Sequence, residues 1–283
     1  MAETVVVHRG HGLPYSKGLM SQTLSATGLS PQRAFELARE VERRLEAMSG
    51  QEIDVGGLRV LAEQVLAEHE DQGAVRRYRD WNRLDRLERP LIVMIGGAAG
   101  VGKSTLSTML AHRLGITRVI ATDVIRQVLR AFFTPEAMPS VHPSAFELDL
   151  MGFREQAELV DTAVAAIVER ACSERTPIVV EGVHAVPGAL TDSLRARCVP
   201  VEALLVVEDE ELHRGHFSLR EAARPAERYL ARFDAIRALQ GYLVEGAGAE
   251  SITIIDNVGV DDSLRRLMLL VLDAVGRLDQ GTS

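Results

Sequence analysis

The stretch GGAAGVGKST, residues 96–105, restricts the fold of this chain more than any other part of it. It follows the apolar run LIVMI and precedes LSTMLAHRLG. Gly97, four further residues, Gly102, Lys103 and Ser104 satisfy GxxxxGK[ST], set between a buried type of strand and an amphipathic helix. Glycines let backbone N–H groups turn around an anion without side chains in the way. A helix starting near Gly102 adds its unpaired N–H groups and the positive end of its dipole. The loop Gly97, Ala98, Ala99, Gly100, Val101, Gly102, Lys103, Ser104 and Thr105 is therefore expected to hold the phosphates of a nucleotide. Lys103 supplies a point charge for the β- and γ-phosphates, and the Ser104 hydroxyl a ligand for Mg²⁺. The dinucleotide fingerprint GxGxxG is absent from this turn.

Around this loop, strand and helix patterns alternate. Strands are expected at 91–95, 118–121, 177–181, 201–207 and 252–255. They are apolar with little alternation, which predicts a five-stranded parallel sheet covered by helices on both faces. A last helix carries the stripe Leu264, Leu267, Val271 and Val275. Residues 1–88 read differently, as a small, mostly helical module. A strand at 4–8 and a turn at RGHG precede three helical segments. Ser30 and Pro31 start the clearest of these, with Phe35, Leu37, Ala38, Val41 and Leu45 on its apolar side. In the next, Leu58, Leu61, Val65 and Leu66 turn inward. The charged run RRYRDWNRLDRLERP, ending in Pro90, marks the boundary, so the domains are expected at 1–88 and 89–283.

The acceptor of the phosphate is read from the other strand ends. The second strand runs into ATDVIRQVLR, which places Asp123 at the carboxyl edge of the sheet, where ligands of open α/β sheets bind. Arg126 and Arg130 follow on the same helical face. A carboxylate beside a cation can orient a hydroxyl and hold an anion next to it. The third strand ends in VVEGVHAVPG, so Glu181 is a candidate for holding Mg²⁺ or its waters and His184 a candidate for the same crevice. The loop MPSVHPSAFE offers His142 and Ser144 as acceptor contacts. Arg220, Arg224, Arg228 and Arg232 lie in or beside a segment that starts with His213, Arg214 and His216. Arg224, Arg228 and Arg232 share one face of a helix that buries Leu230, Phe233, Ile236, Leu239 and Leu243. This segment reads as a lid that closes on phosphates and supplies charge in the transition state.

Net charge matters here because it is −8, whereas the proposed ligands are anions. Positive charge must then be concentrated locally. The acidic balance and an aromatic content of 4% argue against a polynucleotide partner. Cys172 and Cys198 have no metal spacing and are expected to be reduced structural thiols. No apolar run reaches transmembrane length and the first residues lack a signal-peptide pattern, so a cytoplasmic protein with no membrane partner is expected.

The combination GGAAGVGKST, RVIATDVIR, VHPSAFE, VEGVHAVPG, HRGHF, RPAERYL and IIDN resembles the 2-phosphoglycerate kinase family. PYSKGLMSQTLSATGLSPQRAFELAREVE is similar to the ATP-cone-like module that precedes the kinase domain there. The resemblance implies a P-loop NTPase fold of the nucleoside-monophosphate-kinase type with ATP and Mg²⁺ as cofactors. It implies transfer of the γ-phosphate to the 3-hydroxyl of 2-phosphoglycerate, a small anionic substrate. Under it, Lys103, Asp123, Arg126, Arg224 and Arg228 are catalytic, Arg220 joins the phosphate loop on the nucleotide, and Ser104 and Glu181 hold the metal. Arg126, Arg130, His142, Ser144 and His184 bind the acceptor. One departure is HRGHF, where the family pattern leads us to expect a basic residue at Gly215 or His216; a related phosphorylated hydroxy acid thus stays open. Two other readings remain: a kinase for a nucleoside or a 5′-hydroxyl nucleic acid, and a non-catalytic ATP sensor.

Overall fold

The computed structural model describes residues 5–8, 11–48, 53–218 and 226–280. Arg220 and Arg224 lie outside them. The chain forms two compact units, one of Met1–Arg86 with Met268–Ser283 and one of Leu87–Leu267. Residues 268–283, grouped by sequence with everything after residue 88, thus count with the first unit.

In the first unit β1 (Val5–His8) pairs antiparallel with β2 (His11–Pro14). It pairs parallel with the short β3 (Ile53–Asp54). The sequence reading had one strand and a turn here. A strand spelled HGLP has little β-propensity, and it is in place through its backbone pairing with β1. Four helices follow in order: α1 (Lys17–Ala26), α2 (Pro31–Ala47), then after β3 α3 (Val55–His69) and α4 (Gln72–Arg83). Ser16, Ser30, Asp54 and Asp71 cap them by accepting a backbone N–H three residues on. The stripe of α2 that enters the core is Ala34, Leu37, Ala38, Val41 and Leu45. Phe35, expected there, is 45% exposed, because Ala34 rather than Phe35 keeps helical register with Ala38. Its ring takes the ammonium of Lys17 at 5.9 Å instead.

The second unit is built on β4 (Leu91–Gly96), β5 (Val119–Ala121), β6 (Ile178–Gly182), β7 (Val199–Val206) and β8 (Thr253–Asp256). They form one parallel sheet in the order β5-β6-β4-β7-β8. Every residue of β4 and β6 is buried, as expected of central strands covered on both faces. The connecting helices are α5 (Lys103–Leu114), α6 (Thr122–Phe132), α7 (Leu150–Glu174), α8 (Asp192–Arg195), α9 (Glu210–Ser218), α10 (Ala226–Leu230) and α11 (Phe233–Ala249). The last helix is α12 (Val260–Gln280). Between α6 and α7 the chain makes two single 3₁₀ turns, Pro139–Val141 and Ala145–Glu147. This is the five-stranded P-loop fold the sequence led us to expect.

The helix expected from Pro225 to Leu243 is broken. α10 stops at Leu230 and α11 starts at Phe233, with Arg232 at its N-cap. Leu230 is 37% exposed and drops out of the buried stripe, which keeps Phe233, Ile236, Leu239 and Leu243. Arg228 and Arg232 therefore share no helical face.

Candidate active site

The loop between β4 and α5 is shaped by what its carbonyls touch. Lys103 Nζ donates to Ala98 O at 2.6 Å. His213 Nε2 donates to Ala99 O at 2.8 Å, and His216 Nδ1 to Gly100 O at 3.0 Å. Asn257 Nδ2 donates to Val101 O at 3.0 Å, its own amide oxygen accepting from Ser263 Oγ at 2.8 Å. A carbonyl only accepts, so both histidines present N–H here. A peptide plane carries its N–H opposite its C=O. Pulling three successive carbonyls toward α9 and the β8–α12 turn thus aims the next N–H groups the other way, into the loop. Gly100 makes this possible. Its φ is +87°, and a Cβ there would sit 2.5 Å from Phe217 Cζ and 2.9 Å from His213 Nε2. Burial lowers the pKa of His213 and keeps it neutral, consistent with a buried Nδ1 that has no hydrogen-bond partner.

Ser104 lies in the first turn of α5, and its hydroxyl donates to Glu181 Oε1 at 2.9 Å. Glu181 is buried near the end of β6, in register with Ile95 of β4 and Ala121 of β5. The sequence expectation of Ser104 and Glu181 in one place therefore has a geometry. A hydroxyl and a carboxylate suit Mg²⁺, which takes few protein ligands and keeps several waters. Among the described residues no cluster of three or more His, Cys, Asp or Glu side chains suits a metal.

Asp123 lies in the first turn of α6, one strand away from the phosphate-loop strand. Its side chain is 68% exposed and its Oδ1 is 3.4 Å from Arg126 Nε. It opens onto a cleft of about 540 Å³ also lined by Ala99 of the phosphate loop, Arg126, Arg130, His142, Ser144 and Arg228. Each of these side chains is otherwise engaged to a different degree. Buried Arg126 donates Nη1 to Val141 O at 3.0 Å and Pro143 O at 3.2 Å, so it braces the turn that carries His142. His142 Nε2 is 3.1 Å from Phe133 O. Ser144 Oγ accepts from Arg228 Nη2 at 2.9 Å, and the same nitrogen reaches Glu147 Oε1 at 2.8 Å. The Ser144 N–H and then the Arg228 guanidinium hold the Glu147 carboxyl below its ordinary pKa.

His184 is a correction. It was expected in the crevice, yet it is fully buried and does not line the cleft. Its Nδ1 lies 3.1 Å from Thr122 Oγ1 and its Nε2 2.8 Å from Gln156 Oε1. Gly182, φ +150°, admits this packing, since a Cβ there would fall 1.8 Å from Thr122 Oγ1. Gln156, buried in the second turn of α7, turns its amide N–H groups to Ser140 O and to Pro143 O, the latter at 3.1 Å. Thr122, His184 and Gln156 thus tie the residue before Asp123 to the turn that carries His142 and Ser144. Gln156 was not a sequence candidate; a polar residue within an apolar helical face was its only signal.

Burial pushes the His184 imidazole down to about 4. The unfolded chain takes up a proton near pH 6.5 and the folded chain does not, so the stability this group contributes is present above pH 6.5 and lost as pH falls toward 4. At 1.36 kcal/mol per pH unit the loss between pH 7 and pH 4 is about 3 kcal/mol. His184→Asn should remove that component. Urea melts at pH 7, 5.5 and 4 should show a shallower decline for the variant than for the parent, and parallel declines would mean that His184 takes a proton without leaving the fold.

Residues 91–241 match the protein family described as AAA domain. A protein of Methanopyrus kandleri named 2-phosphoglycerate kinase is 34% identical over 279 residues, covering 93% of this chain and 85% of its own. One of the same name from Methanothermobacter thermautotrophicus is 35% identical over 268 residues, covering 87% of this chain and 86% of its own. A solved structure of a gluconokinase from Sinorhizobium meliloti 1021 is 20% identical, covers 69% of this chain and 98% of its own, and superposes with a TM-score of 0.41.

Proposed function

The chain belongs to the 2-phosphoglycerate kinase family, and from that premise we propose that it transfers the γ-phosphate of ATP to the 3-hydroxyl of 2-phosphoglycerate, giving 2,3-bisphosphoglycerate. The observation that carries this reading is the cleft. A phosphate-binding loop with inward N–H groups adjoins a space lined by three arginines and a single aspartate, in a protein of net charge −8. An acceptor with a phosphate, a carboxylate and one free hydroxyl needs those side chains.

ATP supplies an activated phosphoryl group when bound. Lys103 and the N–H groups of the loop hold its β- and γ-phosphates, and Ser104 with Glu181 holds Mg²⁺. Asp123 orients the acceptor hydroxyl and takes its proton. Arg130 and Arg228 bind the acceptor's anionic groups, while Arg126 and His142 shape the floor on which they rest. Arg228 engages Ser144 and Glu147 through Nη2 alone and is 55% exposed, so its other N–H groups are placed to meet an anionic group of the acceptor. Arg220 and Arg224 are assigned to the closing lid on the concentration of arginines in their segment of the sequence.

Incubation with ATP, Mg²⁺ and a panel of 2-phosphoglycerate, 3-phosphoglycerate, glycerate and a nucleoside tests the assignment by mass spectrometry. Product is expected with 2-phosphoglycerate at a kcat/KM at least roughly tenfold above any other acceptor, the scale of one lost charged hydrogen bond. Preferred transfer to the nucleoside would overturn the acceptor, and no transfer to any would leave the sensor reading.

A further inference from the structure

The sequence has seven phenylalanines, four tyrosines and one tryptophan, and four of these residues meet between the acceptor turn and the phosphate loop. Phe146 belongs to the 3₁₀ turn Ala145–Glu147 and is nearly buried. The Tyr229 ring of α10 lies 5.2 Å from it, centroid to centroid. On its other side Tyr229 stacks on Phe217 at 5.2 Å with the planes 15° apart. Phe217 stacks in turn on His213 at 5.5 Å and 23°. Phe233 stands edge-on to both, at 5.3 Å from His213 and 6.4 Å from Phe217. His213 is the residue that holds Ala99 O, and Phe217 is the ring against Gly100. A continuous column of rings therefore runs from the turn beside the acceptor cleft to the backbone that faces the phosphates. Arg228, next to Tyr229, adds a second hold on the acceptor turn through Ser144 and Glu147.

We propose that Tyr229 is a positioning residue that couples the acceptor site to the nucleotide site. Aromatic side chains have few rotamers and pack at fixed separations, so a displaced ring moves its neighbour. An acceptor that settles the Ala145–Glu147 turn fixes Phe146. Phe146 fixes Tyr229 against Phe217, and that stack fixes His213 on Ala99 O. The effect is reciprocal: a nucleotide that settles the phosphate loop orders the acceptor turn and raises the affinity for the acceptor by the same factor. Tyr229 itself lines the cleft and contacts both Phe146 and Phe217. The inference rests on the kinase reading only in placing the acceptor in the cleft.

The test compares the parent with Tyr229→Phe and Tyr229→Leu. Binding of a non-hydrolysable ATP analogue with Mg²⁺ is measured by calorimetry with and without saturating 2-phosphoglycerate. In the parent the acceptor should tighten the analogue by a factor in the usual intersite range, roughly 5–150. Tyr229→Phe keeps the ring and should keep the factor. Tyr229→Leu keeps apolar bulk without the stack and should bring the factor to near one. Where 2-phosphoglycerate binds, a factor undiminished in Tyr229→Leu, or absent from the parent, overturns the coupling. Hydrogen exchange supplies an arm that needs no acceptor. The analogue alone should slow exchange of the 139–147 amides in the parent and in Tyr229→Phe but not in Tyr229→Leu. If that pattern holds while 2-phosphoglycerate fails to bind, the acceptor assignment falls and the coupling stands. If 2-phosphoglycerate binds and the pattern is missing, the coupling falls alone.

Discussion

Replacing Lys103 by Ala is expected to abolish turnover and leave the fold unchanged. The Lys103 side chain is only partly buried, and it donates to Ala98 O at 2.6 Å, within the loop it serves. Truncation thus removes no core packing, and the melting temperature should move little. Its ammonium is the one lysine charge of the phosphate loop, set where charge develops on the transferred group. Loss of a preorganised charge of this kind costs several kcal/mol in the transition state, or roughly 10³-fold or more in rate. Lys103→Arg should fail as well, because a planar fork cannot replace a compact ammonium inside so tight a loop. Single-turnover transfer at saturating substrates measures both variants. Activity within tenfold of the parent in Lys103→Ala would remove the phosphate loop from the chemistry.

Asp123→Asn is expected to lower single-turnover transfer by roughly 10²–10⁴-fold, the usual share of a general base. ATP binding should be nearly unchanged, because Asp123 sits one strand away from the phosphate-loop strand. Phosphoryl transfer passes through a loose transition state, so orientation of the hydroxyl contributes more than removal of its proton. Asn keeps the shape and one acceptor oxygen, which isolates the charge. Asp123→Glu should also fail, since the longer arm shifts the hydroxyl by about an ångström and in-line geometry does not tolerate that. The fold gives Asp123 no competing duty. Ala121 occupies the N-cap of α6 and no side chain caps it, and the Asp123 carboxylate is mostly exposed with Arg126 3.4 Å away. A rate for Asp123→Asn within about threefold of the parent, far below a general base's contribution, would move the search for the hydroxyl's partner to Glu181.

What the sequence disclosed depended on how many physical solutions each pattern had. An anion loop between a buried strand and a helix has few, so Gly97–Ser104 and the parallel sheet were legible together. The nearness of Ser104 and Glu181 was legible too, because the carboxyl end of the neighbouring strand faces the first turn of the helix after the loop. β2 was not legible, since its pairing with β1 is made by backbone atoms that every residue carries. His184 misled for a related reason. A histidine two residues past a strand end can turn outward to an anion or inward to a threonine and a glutamine, and only the tertiary partners decide. His213 and His216 were noticed as positive charge and read as part of a lid. Their ring nitrogens instead hold two backbone carbonyls more than a hundred residues earlier, an arrangement with no local signature. Phe35 failed by a single helical position, where Ala34 took the inward place.

The hydrogen bonds on the phosphate-loop carbonyls of Ala99, Gly100 and Val101 span 114, 116 and 156 residues. Closing spans of that length carries an entropy cost that only a nearly complete fold can offset. The GxxxxGK[ST] segment is therefore among the last parts of the second unit to acquire its working shape, although it is encoded in a few adjacent residues. While a growing or unfolding chain still lacks α9 and the β8–α12 turn, it carries the signature without the cradle. A nucleotide recognises the finished unit and not the motif, so its binding free energy adds to the stability of the unit as a whole by mass action.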